Sequence, residues 1–198
     1  MLDFERAASA AELVDVVGFP GGEPTGEQVT KAEAHAQGLP HRDVHVWLTD
    51  GQRLLQQQRR WDKRIMPGAW DISVGEHVMA GESFREAAVR GLDEELGLQL
   101  PPERFLRAGL FAAELVMQPG SAAWTHRTVG DNFVVVERGL EIADLALQAS
   151  EVLGARWYDI DQLEADLAHP DTAARHAPQP IALWQLGIAA MREAVAIS

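Results

Sequence analysis

The stretch from Trp70 to Leu98, WDISVGEHVMAGESFREAAVRGLDEELGL, leaves few alternatives for how it folds. Trp70, Ile72 and Val74 alternate with polar or small neighbours, the period-two pattern of a strand. A loop follows, with glycines at 75 and 81. Ser83-Phe-Arg-Glu86 then has the form of a capping box, in which serine and glutamate each satisfy a free backbone N–H. Gly97 tolerates the left-handed turn after a helix end. The expectation is strand, loop, and a helix over 83–96.

Side chains on that helix are about 100° apart. Phe84, Ala88, Val89, Leu92 and Leu96 share one arc, the expected core face. Glu86, Arg90 and Asp93 fall on the far side, toward water, and Glu94, Glu95 and position 91 on the flank between. Arg90 is four residues from both Glu86 and Glu94 and can pair with either. Two carboxylates at a core edge, below a glycine-bearing loop, suit a hard divalent cation such as Mg2+ or Mn2+. The same periodicity also describes an ordinary amphipathic helix with solvated glutamates.

As a string, residues 76–98 resemble the Nudix box. Its pattern is Gly, five residues, Glu, seven residues, then Arg-Glu-aliphatic-any-Glu-Glu-any-Gly-aliphatic. Glu82, Arg90, Leu92, Glu94, Glu95, Gly97 and Leu98 stand at matching positions. Glu76 stands where the first glycine belongs, and Gly91 where the glutamate after the arginine belongs. The resemblance implies an α/β/α sandwich with a central mixed sheet. We read residues 1–198 as one Nudix domain, with 1–40 as an N-terminal elaboration.

Composition fits this. The 198 residues are 46% hydrophobic and 24% charged, as in an ordinary globular chain. A net charge of −13 argues against a nucleic-acid polymer as partner, because phosphates need Lys and Arg. A small phosphorylated substrate stays compatible, since bound metal supplies positive charge. With no cysteine there are no disulfides, thiolate ligands or cysteine nucleophiles. The N-terminus is acidic and has no basic n-region, so it does not read as a signal peptide. No apolar run approaches the roughly 20 residues that span a bilayer. The expected location is cytoplasmic with no membrane partner, and a homodimer is left open.

Along the chain, residues 4–11 read as a short helix, 12–17 as a strand and 18–25 as a turn. Residues 41–49 read as a central strand, Asp50-Gly51 as a hairpin turn, and 53–59 as the return strand. After the box come a strand over 105–117, a loop over 118–128 containing Trp124 and His126, and a buried strand over 132–137. A short strand at 156–158 leads into a helix to about 167; 171–179 reads as loop and 180–197 as a final helix. Arg59, Arg60, Lys63 and Arg64 cluster in an otherwise acidic chain. They read either as a solvated loop or as phosphate contacts, since arginine forks suit phosphate. Trp61 and Trp124 are loop aromatics that could stack on a base, or simply be partly buried.

Residues 12–158 look most like the isopentenyl diphosphate isomerase-like branch, in PTGE, AHAQGLPHRDVHVWL and MPGAWDISV. That likeness implies metal-binding histidines at about the positions of His35, His41 and His77. Isomerase activity is argued down, because Gly75 stands where the isomerase has its cysteine and Gly130-Asp131-Asn132-Phe133 lacks its glutamate. The resemblance then implies the usual reaction of the Nudix superfamily, metal-dependent hydrolysis of a diphosphate linked to another moiety. Glu94 and Glu95 are its catalytic candidates, and Glu94, Glu95, Glu76 and His77 its metal ligands. Glu76 and Gly91 read either as a carboxylate relocated in space or as a decayed site that binds a ligand without turnover.

Overall fold

A computed structural model of the chain describes residues 11–63, 67–117, 124–177 and 179–197. Most of the predicted N-terminal helix, Arg64 and the Trp124 side chain lie outside them.

β1 (Leu13–Val17) and β2 (Pro24–Thr30) form a two-stranded antiparallel sheet, and α1 (Lys31–Gln37) follows directly. β2 and α1 were not expected, although Thr30-Lys-Ala-Glu33 is itself a capping box that caps α1 here.

The remaining strands are β3 (His41–Thr49), β4 (Arg53–Arg59), β5 (Trp70–Asp71), β6 (Val74–His77), β7 (Leu106–Met117), β8 (Trp124–Val136) and β9 (Val152–Asp159). They join in a seven-stranded mixed sheet, in which β3 and β8 pair in parallel and the other pairs are antiparallel. The helices are α2 (Phe84–Leu96), α3 (Ile160–Leu167), the short α4 (Pro170–Ala173) and α5 (Ile181–Ile197).

Alternation along β3 divides the core in two. Val44, Val46 and Leu48 pack with Ala88, Leu92 and Leu96 of α2. Trp47, on the other face, packs with Trp184, Ile188 and Met191 of α5. The sheet therefore lies between α2 on one side and α3 with α5 on the other, the expected α/β/α arrangement. Leu92 and Leu96 are fully buried, and both ends of α2 carry the expected caps.

Four boundaries differ from expectation. The strand expected from Trp70 to Val74 is split into β5 and β6, and β6 runs on to His77, so Gly75, Glu76 and His77 belong to a strand and not to the loop. β8 begins at Trp124 rather than near 132, so His126 belongs to a strand and not to a loop. β9 starts at Val152 instead of 156, and α4 interrupts the predicted loop over 171–179. β9 gains its extra length from β4, far away in the chain, and β8 gains residues 124–127 from β7, its antiparallel neighbour, pairings that no local pattern records.

Candidate active site

β6 pairs with β3 so that Val44 lies opposite Glu76, which turns the Glu76 side chain toward α2. There it meets Gly91. A Cβ built on Gly91 would sit 3.0 Å from Glu76 Cγ and 2.9 Å from Val74 Cγ1. The Glu76 side chain thus occupies the space into which a side chain at 91 would grow. The two departures from the motif are neighbours in space.

Arg90 organises the carboxylates. Its Nη1 donates to Glu76 Oε2 at 2.9 Å and to Glu94 Oε2 at 3.1 Å. Its Nε and Nη2 form a fork on Glu82 at 2.9 and 3.1 Å, and Nη2 also donates to the His77 carbonyl at 2.9 Å. Arg90 was expected to face water. It is instead drawn inward, because these acceptors can all be reached by its long side chain while its base stays on the helix surface. Glu86 does not pair with it, being engaged in the Ser83 cap.

The adjacent glutamates part company. Glu94 is exposed beside Arg90, whereas Glu95 is only 5% exposed. The buried stripe of α2 includes Ala87, Gly91 and Glu95, positions placed on the flank by helical periodicity alone. Gln57 Nε2 of β4 donates to Glu95 Oε2 at 2.7 Å. Burial, followed by repulsion from Glu76, pushes the Glu95 carboxyl well above the usual carboxylate range. Burial likewise raises Glu76, against the opposing pull of Lys31 and Arg90. Three carboxylates thus share one guanidinium, Glu95 lies beyond its reach on Gln57, and the two innermost, Glu76 and Glu95, resist ionisation. A divalent cation beside Glu76 and Glu95 would offset that charge, so the donor set fits Mg2+ or Mn2+.

Of the basic cluster, Arg59 Nη1 binds Asp71 Oδ2 at 3.0 Å and Arg60 Nε binds Asp62 Oδ1 at 3.0 Å. Lys63 pairs with Glu151. Each described cation has its own carboxylate, for which a phosphate would have to compete.

His77 does not join the glutamates. Neighbouring residues of a strand point to opposite faces, so Glu76 faces α2 and His77 faces away from it. There it meets His35 of α1, His41 of β3 and His126 of β8. One ligand nitrogen from each of the four lies within 4.8 Å of the others.

Their second ring nitrogens set the tautomers. His35 Nδ1 and His41 Nδ1 lie 2.8 and 2.9 Å from the carbonyls of Lys31 and Leu39, and His126 Nε2 lies 3.3 Å from Asp43 Oδ2. His41 Nε2 points inward, as do His35 Nε2 and His126 Nδ1, which share a hydrogen bond at 3.2 Å. The buried Nε2 atoms of His41 and His77 have no hydrogen-bond partner. Burial pushes His35 down to about 3 and His41 to about 4, and lowers His77 strongly, so the rings are neutral at pH 7. Four imidazoles, three of them with an oriented outer nitrogen, suit a borderline transition metal such as Zn2+ better than Mg2+. Sequence reasoning missed His126, because its place beside the others depends on its pairing with β7 and on the parallel β3–β8 pairing that starts two residues later at Thr128.

A family model described as NUDIX domain matches residues 39–179. The chain is 34% identical over 167 residues to Nudix hydrolase 3 of Arabidopsis thaliana, a match covering 83% of this chain and 21% of that protein. It is 32% identical over 146 residues to an isopentenyl-diphosphate Delta-isomerase of Roseobacter denitrificans, covering 72% of this chain and 78% of that one. The chain therefore spans about a fifth of the Arabidopsis relative but most of the bacterial one. Among solved structures, DR0079 from Deinococcus radiodurans has a TM-score of 0.58 at 19% identity, over 94% of this chain and 98% of that one, a likeness of fold.

Proposed function

This chain belongs to the Nudix family, and we propose that it hydrolyses a diphosphate linked to another moiety, such as a nucleoside diphosphate derivative, with Mg2+ or Mn2+. The observation that carries the reading is the exchange between Glu76 and Gly91. The helix carboxylate expected at position 91 is absent, and a strand carboxylate fills its space.

In this reading Glu95 and Glu76 hold the ion at the buried end, and Glu94 completes the catalytic pair at the solvent side. The ion supplies charge neutralisation at the diphosphate and an acidified water. Arg90 holds Glu76, Glu82 and Glu94 in position, and Gln57 fixes the Glu95 carboxylate. Arg59, Arg60, Lys63 and Arg64 are the proposed contacts for the substrate's phosphates. Isomerisation would need an acid where Gly75 stands, and the chain has no cysteine anywhere.

The test restores the usual arrangement stepwise, reading phosphate release from a panel of nucleoside diphosphates, dinucleotides and nucleotide sugars. Gly91→Glu alone crowds Glu76 and should lower activity or leave it little changed, Glu76→Gly alone should abolish it, and the double variant should recover it. An inactive wild type that Gly91→Glu alone raises tenfold or more, about 1.4 kcal/mol of barrier, would replace this reading by a decayed, binding-only site. A fully active wild type indifferent to Glu76→Gly would refute the role of Glu76.

A further inference from the structure

The sheet face opposite Glu95 carries a cavity of about 380 Å3, within the range of roughly 300–1,000 Å3 usual for small-molecule sites. Neighbouring side chains of β4 look to the two faces. Gln57 holds Glu95, while Gln56 accepts from Arg156 and binds His176 on the cavity side.

Arg156 lies between two rings, with its guanidinium 4.0 Å from the centroids of both Trp70 and Tyr158. Its Nε and Nη2 converge on Gln56 Oε1 at 3.1 and 2.8 Å, a neutral acceptor. In this acidic chain Arg42, Arg59 and Arg90 each have a carboxylate in contact. Among the described residues neither Arg156 nor Arg175, which lines the same cavity, forms an ion pair. Among the described lining residues the one carboxylate, Asp166, is taken by Tyr158 Oη at 2.6 Å, Gln162 Nε2 at 2.8 Å and His176 Nε2 at 3.4 Å. Asp166 acts on Arg156 from a distance but does not pair with it, and an arginine cannot shed its charge by deprotonating, so a partly desolvated guanidinium with no direct ion pair favours an incoming anion.

The rim supplies an aromatic surface. Trp61 is 69% exposed, yet its ring rests against Gly68, where a Cβ would come 2.2 Å from Trp61 Cζ3. Gly68 also has φ +76°, a conformation that favours glycine. A large indole that rests against a glycine and is left open to solvent is suited to stacking on a planar ring.

We propose that this cavity is a second ligand site, for a molecule that joins a flat aromatic ring to an anionic group, the chemistry of a nucleoside monophosphate. The ring stacks on Trp61 and the anion lies on Arg156 and Arg175. The site lies on the other face of the sheet from Glu95 and needs no divalent ion, so it stands or falls independently of the hydrolase reading.

The test titrates AMP into the full chain in EDTA, read by calorimetry and tryptophan fluorescence. AMP should bind with a Kd below about 1 mM. Adenosine and inorganic phosphate, the two halves, should each bind at least tenfold more weakly. Trp61→Ala and Arg175→Ala should each weaken AMP binding about tenfold; both change surface side chains and leave the Gln56–Arg156–His176 network in place. Glu95→Gln should bind AMP as wild type does. No binding at several millimolar would overturn the proposal. So would binding that ignores both variants, and so would binding that requires Mg2+ and disappears in Glu95→Gln.

Discussion

Replacing Gly91 with Ala isolates the space shared by α2 and β6. Two effects oppose each other. Alanine favours a helix interior by about 1 kcal/mol over glycine. Its methyl, however, would lie 2.9 Å from Val74 Cγ1 and 3.0 Å from Glu76 Cγ. Carbon atoms in contact prefer roughly 3.5–4.0 Å. Overpacking of this kind costs about 1–3 kcal/mol. The single variant should therefore be destabilised by about 1 kcal/mol, the difference of the two effects. In a Glu76→Ala background the Cγ contact is gone, and Val74 gains room to move. There Gly91→Ala should be neutral or stabilising by up to about 1 kcal/mol. Loss of the Glu76–Arg90 pair is common to both Glu76→Ala proteins and cancels in the cycle. The interaction energy should be about 1–2 kcal/mol, in the range for residues in contact. Urea unfolding of the four proteins at neutral pH without metal measures it, provided that the m-values agree. A coupling below about 0.3 kcal/mol would show that residue 91 and Glu76 do not compete for one space, and would remove the main support for a relocated carboxylate.

Three further outcomes follow from the site. Because burial and Glu76 raise the Glu95 carboxyl, metal-free wild type loses stability as pH rises from the ordinary carboxylate value through the raised one. Glu95→Gln should therefore be the more stable protein near pH 8 in chemical denaturation, with the advantage vanishing near pH 4; an advantage that grows toward acid would contradict the shift. Gly130→Ala should cost about 2–3 kcal/mol in urea unfolding, since its Cβ would lie 2.3 Å from Asp43 Oδ1 and 2.7 Å from His45 Cε1. A cost under about 0.5 kcal/mol would mean that these buried side chains move aside freely. Zn2+ added at pH 7 should raise the Tm and release almost no protons, because His35 and His41 titrate at about 3 and about 4. Calorimetry in two buffers of different ionisation enthalpy counts those protons, and release of more than about one would show that the rings are charged in the free protein.

The parts of this protein that were legible in the sequence are those whose causes are local. Ser83, Glu86 and Gly97 cap α2 with groups only a few residues away, and its apolar period chooses the face that Leu92 and Leu96 bury. The hairpin at Asp50-Gly51 and the span of α5 are of the same kind. The Nudix pattern and its two departures could also be read, since each is a matter of spacing along one segment.

Tertiary structure decided whatever depends on partners remote in the chain. Thr125, His126 and Arg127 show no strand pattern of their own; they become strand because β7 pairs with them, and from Thr128 onward β3 pairs on the other edge as well. The same register brings His126 to His35, His41 and His77, over a separation that periodicity cannot span. Glu94 and Glu95 are adjacent letters, yet one faces solvent and the other is buried against Gln57, because the sheet covers only one side of the helix. That Glu76 fills the space beside Gly91 follows from the pairing of β6 with β3, which sets the strand's facing against the helix. A spacing rule records which residues are present, and packing alone determines which of them share a volume.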